Sequence, residues 1–141
     1  MYKVKKAEKL LGEIELNGAK NAALPIIVAS CLTDERVTLR NVPMELNDVQ
    51  ILVELLNEVG FNIEILDGNK LEIHNKNNDL NSDVPERANQ IRYSLLLLSL
   101  LLQKTGKVKV PQPGGCSIGD RKHDIHVDSL AKMGAEINET D

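Results

Sequence analysis

The chain has 141 residues, 42% of them hydrophobic and 27% charged, an ordinary balance for a globular protein with a real core. Aromatics reach only 2% with no Trp, so the core must be Leu, Ile, Val and Ala, and the stacking platforms of a single-strand nucleic-acid binder are missing. A net charge of −4 without a long basic run also counts against a phosphate-backbone footprint, so no nucleic-acid partner is expected.

Residues 1–11 are charged and lack the apolar stretch of a signal peptide. Residues 12–17 alternate apolar and polar and predict a short strand. Asn17-Gly18 breaks the chain before an apolar helix over 20–31, with Pro25 in its early turns. Residues 35–40 predict a strand. Asn47 is the expected N-cap of a helix over 48–59, with Asp48 favouring the positive end of its dipole and Gly60 stopping it. Two short strands, 61–66 and 70–74, flank the hairpin signal Asp67-Gly68-Asn69.

After the polar stretch 75–83 the pattern restarts. A helix is expected over 91–103, a strand over 107–110, a turn over 111–115, a helix over 123–133 ended by Gly134, and a strand from 135. The leucine-rich stretch 93–102 is about half the length needed to cross a bilayer, so it reads as a buried helix and no membrane partner is expected. Asn21 to Val37 spans the same distance as Arg92 to Val108, and Gly60 and Gly134 each end a helix before a strand. Two copies of one helix–strand–helix–strand–strand unit therefore predict an α/β (α+β) fold with helices packed on sheets. The expected organisation is an N-terminal strand segment over 1–19, a first repeat over 20–87, and a second, C-terminally truncated repeat over 88–141.

The most unusual stretch is Pro113-Gly114-Gly115-Cys116-Ser117-Ile118-Gly119-Asp120-Arg121. Glycines around Cys116 suit an exposed loop tip with backbone N–H groups nearby, and Arg121 would lower the thiol pKa and attract an anion. A glycine-rich turn that merely holds a small residue fits the same letters. The Gly114–Gly119 spacing lacks the Lys-Ser/Thr of a P-loop, and Cys116, His123 and His126 with Cys31 lack zinc-ligand spacing, so no metal is expected. Cys31 and Cys116 sit in different contexts without a secretion signal and read as reduced cytoplasmic thiols. Lys20-Asn21 opens the first helix, where free N–H groups and a positive dipole end favour anions; a solvated lysine fits that position equally. Arg92 occupies nearly the equivalent place in the second copy, as if both repeats faced one anionic ligand.

Asn17-Gly18-Ala19-Lys20-Asn21-Ala22-Ala23-Leu24-Pro25, Ile91-Arg92, the Cys116 stretch, Asp124-Ile125-His126 and Gly134-Ala135-Glu136-Ile137 resemble, in order along essentially the whole chain, the UDP-N-acetylglucosamine 1-carboxyvinyltransferase family. The resemblance implies an enolpyruvyl transferase fold of βαβαββ repeats, here an incomplete domain with about two of three. It implies transfer of the enolpyruvyl group of phosphoenolpyruvate to the 3′-hydroxyl of UDP-N-acetylglucosamine, the first committed step of peptidoglycan synthesis, without metal or organic cofactor. Lys20, Arg92 and Arg121 would hold phosphoenolpyruvate. Asn21, Arg92, Arg121, Asp124 and His126 would contact the sugar nucleotide. Cys116 would be the general acid or covalent partner, alkylated by fosfomycin, on a loop that closes as a lid. Asp120 replaces a small residue, and Arg121-Lys122 stands where the family usually has Arg-Pro.

Members of that family are much longer, so the chain is expected to be a front portion, inactive alone, without the third repeat or the other domain's base. A non-catalytic UDP-sugar- or anion-binding module of the same fold is the alternative, and an unrelated structural α/β domain a third. Part of the leucine face would then lie bare, which predicts self-association or marginal stability unless the remainder of the enzyme covers it.

Overall fold

A computed structural model of the chain describes residues 1–67, 69–75, 79–114 and 123–138. Among them are four α-helices and a three-stranded antiparallel sheet, a mixed α/β arrangement. Helix α1 (Lys20–Ser30) buries Leu24, Ile27 and Val28, and Cys31 just beyond its end continues the same i, i+3, i+4, i+7 stripe. Helix α2 (Asn47–Glu58) packs on α1 through a broad apolar face that includes Val49, Leu52, Leu55 and Leu56, while Gln50, Glu54, Asn57 and Glu58 point outward.

The sheet has the order β1 (Val37–Arg40), β3 (Lys70–Ile73), β2 (Ile63–Ile65), with β3 central. Its register aligns Val37, Ile73 and Ile63 in one row and Leu39, Leu71 and Ile65 in another, on one face. Thr38, Glu72 and Glu64 align on the opposite face, as the period of two requires. Ile63, Leu71 and Ile73 enter the common core with α1 and α2. Buried Asn75, next to β3, ties the layers together: its Nδ2 donates to the Cys31 carbonyl at 3.3 Å and its Oδ1 accepts the Asn62 N–H at 3.4 Å.

Two 3₁₀ turns (Glu86–Gln90 and Arg92–Leu95) lead into α3 (Leu96–Thr105), which packs on α1. Extended Ile91 separates the turns, and the buried Ser94 hydroxyl satisfies the Ile91 carbonyl at 2.8 Å. Arg87 fastens this segment to α2, reaching Glu54 at 2.7 Å and Glu58 through two nitrogens at 2.7 and 3.1 Å. The last helix, α4 (Asp124–Lys132), has no buried residue. No helix of the described residues is long and apolar enough to cross a membrane.

Several sequence expectations are corrected. Residues 12–17 form no strand: Ile14 and Leu16 alternate as a strand would, but no ladder partner takes them and both are exposed. The strand expected over 107–110 shrinks to one parallel bridge between Asp83 and Lys109, because only a short stretch of chain runs beside it. No strand forms over 135–138, again without a ladder. Asn47 is the first helical residue of α2 rather than its cap; Leu46 takes the cap position and no side chain bonds there. The helix expected from 91 begins as the 3₁₀ turn. The leucine face is also better covered than expected. Leu95, Leu97, Leu100 and Leu101 are buried, and Leu96, Leu98 and Leu102 are half-buried. The most exposed large apolar side chains lie instead on the N-terminal segment and at α4, among them Leu10, Leu11, Ile14, Ile125 and, just past the end of α4, Met133.

This division has a measurable consequence. Leu97→Ala, at a fully buried site, should cost about 2–5 kcal/mol. Ile125→Ala on exposed α4 should stay within about 0.5 kcal/mol. Urea unfolding followed by circular dichroism measures both, and equal losses would mean that α4 packs as tightly as α3.

Candidate substrate-binding site

Lys20 and Asn21 form the first turn of α1, and both are exposed. Ala19 caps the helix in an extended conformation, its carbonyl accepting the N–H groups of Ala22 and Ala23 at 3.1 and 2.9 Å. Lys20 Nζ lies 2.7 Å from Asp48 Oδ2, in the first turn of α2. Two helix starts are thus joined by one ion pair, and the carboxylate there complements the α2 dipole.

The chain just before Lys20 is seated on the connection between β1 and α2. A Cβ on Gly18 would stand 2.0 Å from the Asn41 carbonyl oxygen, so only glycine fits that contact. Asn41, with a positive φ of 56°, donates its Nδ2 to the Leu16 carbonyl at 3.2 Å. Asn17 Nδ2 donates to Glu45 Oε1 at 3.3 Å. A shallow depression beside this seat is lined by Glu15, Arg40, Asn41, Asp67, Asn69 and Lys70, and takes in neither Lys20 nor Arg92.

Arg92 opens the second 3₁₀ turn and is half-buried. Its turn runs directly into α3, so Lys20 and Arg92 both stand at the starts of helical segments that pack together. Gly114 lies against the first 3₁₀ turn: a Cβ there would stand 2.1 Å from the Asn89 carbonyl oxygen, three residues before Arg92 in sequence. Cys116 and Arg121, with Asp120 and Lys122, lie outside the described residues. Asp124 and His126 are exposed on the first turn of α4. Asp124 Oδ1 accepts the Ile125 N–H at 3.1 Å, and the His126 N–H donates to the His123 carbonyl at 3.0 Å. The expected residues therefore separate into Lys20, Asn21 and Arg92 on the packed body and Asp124 and His126 on a helix with no buried residue.

Sequence reasoning missed Asn41 and Glu45 and gave Asp48 only a dipole role. Asp48 is distant from Lys20 in sequence, so no local spacing reveals the pair; two charged first turns on helices expected to pack together were the available signal.

Cys31 is a free thiol with no exposed surface, and burial pushes its pKa up to about 12, against smaller opposing effects of the Asn75 hydrogen bond and the Lys104 charge. A thiol so held is protonated at neutral pH and is no nucleophile.

The family model described as EPSP synthase (3-phosphoshikimate 1-carboxyvinyltransferase) matches residues 4–141. The chain belongs to the EPSP synthase family. Within that family it is similar to proteins named UDP-N-acetylglucosamine 1-carboxyvinyltransferase. The Finegoldia magna protein is 43% identical over 141 residues, covering 100% of this chain and 33% of that protein. The Thermotoga petrophila protein is 45% identical over 129 residues, covering 91% and 30% respectively. The Bradyrhizobium diazoefficiens protein is 44% identical over 140 residues, covering 99% and 32%. The chain spans about a third of the length of these relatives.

The Cys31 environment makes stability depend on alkaline pH. The unfolded thiol ionises near 9.0 and the folded one near 12, so unfolding releases a proton between those values and stability falls as pH rises through that window. Urea midpoints measured from pH 8 upward should therefore drop more steeply in the wild type than in Cys31→Ala. Parallel pH profiles would show that the thiol ionises as readily in the folded chain.

Proposed function

We propose that this chain contributes one part of the substrate site of a UDP-N-acetylglucosamine 1-carboxyvinyltransferase and does not turn over alone. The observation that carries the reading is the identity of 43% to a protein of that name along the whole chain, motifs included. The first unit's order of helix, strand, helix, strand, strand supports the finer reading of βαβαββ repeats, of which about two of three are assigned to this chain.

In the reaction the sugar 3′-hydroxyl gives its proton to a base and its oxygen bonds to C2 of phosphoenolpyruvate while C3 takes up a proton. Loss of a proton from C3 then restores the C=C bond as the C2–O bond of the phosphate ester breaks, and inorganic phosphate leaves. Charge builds and disperses around a phosphate, a carboxylate and an oxocarbenium-like carbon, so fixed cations supply much of the stabilisation. Lys20, Arg92 and Arg121 are assigned to the phosphate and carboxylate. Asn21 is assigned to the sugar nucleotide together with Arg92, Arg121, Asp124 and His126. Cys116 is assigned as general acid or covalent partner, on a loop whose base Gly114 seats against the first 3₁₀ turn. The Lys20–Asp48 pair at an exposed helix start and the inert state of Cys31 both support this distribution of roles. The base for the sugar hydroxyl is assigned to the part of the enzyme that this chain does not span.

Two measurements test the reading. Phosphate release from phosphoenolpyruvate and UDP-N-acetylglucosamine should stay at background for this chain alone; release that vanishes in Cys116→Ala would show it to be active by itself. Fosfomycin should add one equivalent to Cys116 and none to Cys31, read by mass spectrometry, and UDP-N-acetylglucosamine should accelerate the addition. No addition under either condition would favour the non-catalytic binding module.

A further inference from the structure

We propose that Asp48 is a positioning residue that holds the Lys20 ammonium in the orientation it needs to receive an anion; the inference rests on the assignment of Lys20 above. Lysine is a poor choice for the first turn of a helix, because its charge opposes the dipole. It is also a flexible four-carbon stem with much rotamer entropy, part of which any ligand must overcome if the side chain is loose. Asp48 answers both problems. Its carboxylate sits at the start of α2, where that helix's own dipole favours it independently of Lys20. It meets Nζ at 2.7 Å with Lys20 and Asp48 side chains 43% and 34% exposed, so the pair remains open to solvent.

The rest of the β1–α2 connection points the same way. Asn41, Glu45 and Asp48 successively engage Leu16 with Gly18, Asn17 and Lys20. The chain on either side of Ala19 is therefore fastened to one connection, and α1 emerges from it in a fixed direction. An exposed ion pair contributes little to stability, too little to explain this arrangement as a staple of the fold. Its weakness suits a group that must hold a side chain and still leave it available to a ligand.

The charge of Asp48 makes the alternative testable. If Asp48 were only a neighbouring negative charge, its removal would relieve Coulombic repulsion and tighten anion binding. As a positioning residue its removal weakens binding. Phosphoenolpyruvate binding to the full chain, with UDP-N-acetylglucosamine present, is titrated by NMR for wild type, Lys20→Ala, Asp48→Asn, Asp48→Glu and the Lys20→Ala/Asp48→Asn double variant. Asp48→Asn should raise Kd three- to ten-fold, Asp48→Glu should recover part of that loss, and Asp48→Asn should add nothing once Lys20 is gone. Unchanged or tighter binding in Asp48→Asn overturns the proposal. Equal binding by wild type and Lys20→Ala, or none by wild type, instead overturns the assignment of Lys20 and with it any role of Asp48 toward a ligand. Should Asp48→Asn lose the native amide spectrum, ¹³Cε relaxation in the wild type decides: Lys20 must be more ordered than exposed Lys132, and equal mobility overturns the proposal.

Discussion

Four side chains on one stripe of α1, Leu24, Ile27, Val28 and Cys31, are enclosed by the rest of the core, and the position of the helix follows from that enclosure. Each large apolar side chain so buried is worth about 1.5–3 kcal/mol, several times an exposed ion pair. The apolar stripe therefore decides where α1 lies and which way it points. The polar ties at its start act afterwards and on a finer scale: they direct Lys20 and Asn21 without having to hold the helix in place. α2 and α3 both pack on α1, and Ile63, Leu71 and Ile73 of the sheet join the same core.

Backbone contacts then set the distances that side chains cannot. Gly18 lies against the Asn41 carbonyl and Gly114 against that of Asn89, each where a Cβ would overlap an oxygen. One seat fixes the approach to α1 and the other the base of the Cys116 stretch, so two segments far apart in sequence are held at their roots by the same device. The cost is local. Asn41 adopts a positive φ, which asparagine tolerates better than most residues because its short amide can bond to nearby backbone, as it does to Leu16.

Much of the first unit was legible because its elements contain their own instructions. The apolar periods of α1 and α2 and the turn between β2 and β3 are local signals, and the helices and hairpin formed where those signals stand. The strands expected over 12–17, 107–110 and 135–138 failed for a reason that no local pattern records: alternation defines a face, whereas a strand exists only against a partner. Of the candidate site, Lys20 and Arg92 were recognisable as cations at helix starts, with Asn21 beside Lys20, but Asp48, Asn41 and Glu45 enter only when α1 and α2 are brought together. The state of Cys31 also needed the fold, since it becomes inert through burial, and its letters alone resemble any small residue near a helix end.

The contrast between α1 and α4 bears on how the proposed site is completed. Lys20 rides on a helix whose inner face is enclosed, so its position is a property of the chain itself. Asp124 and His126 ride on a nine-residue helix with no buried residue, and helices shorter than about 12–15 residues are marginal in water without a packed face. Asp124 in the first turn and Lys132 in the last complement the dipole, and each such term contributes about 0.3–1 kcal/mol. Those terms are too small to hold α4 in a unique place, while Ile125 and Met133 present apolar surface that would gain from cover. The chain spans about a third of the length of its relatives, so a covering surface for α4 is reasonably sought in the part it does not span. On that reasoning the proposed phosphoenolpyruvate side of the site would be set by this chain's own core, and the proposed nucleotide side would take its order from what docks against α4.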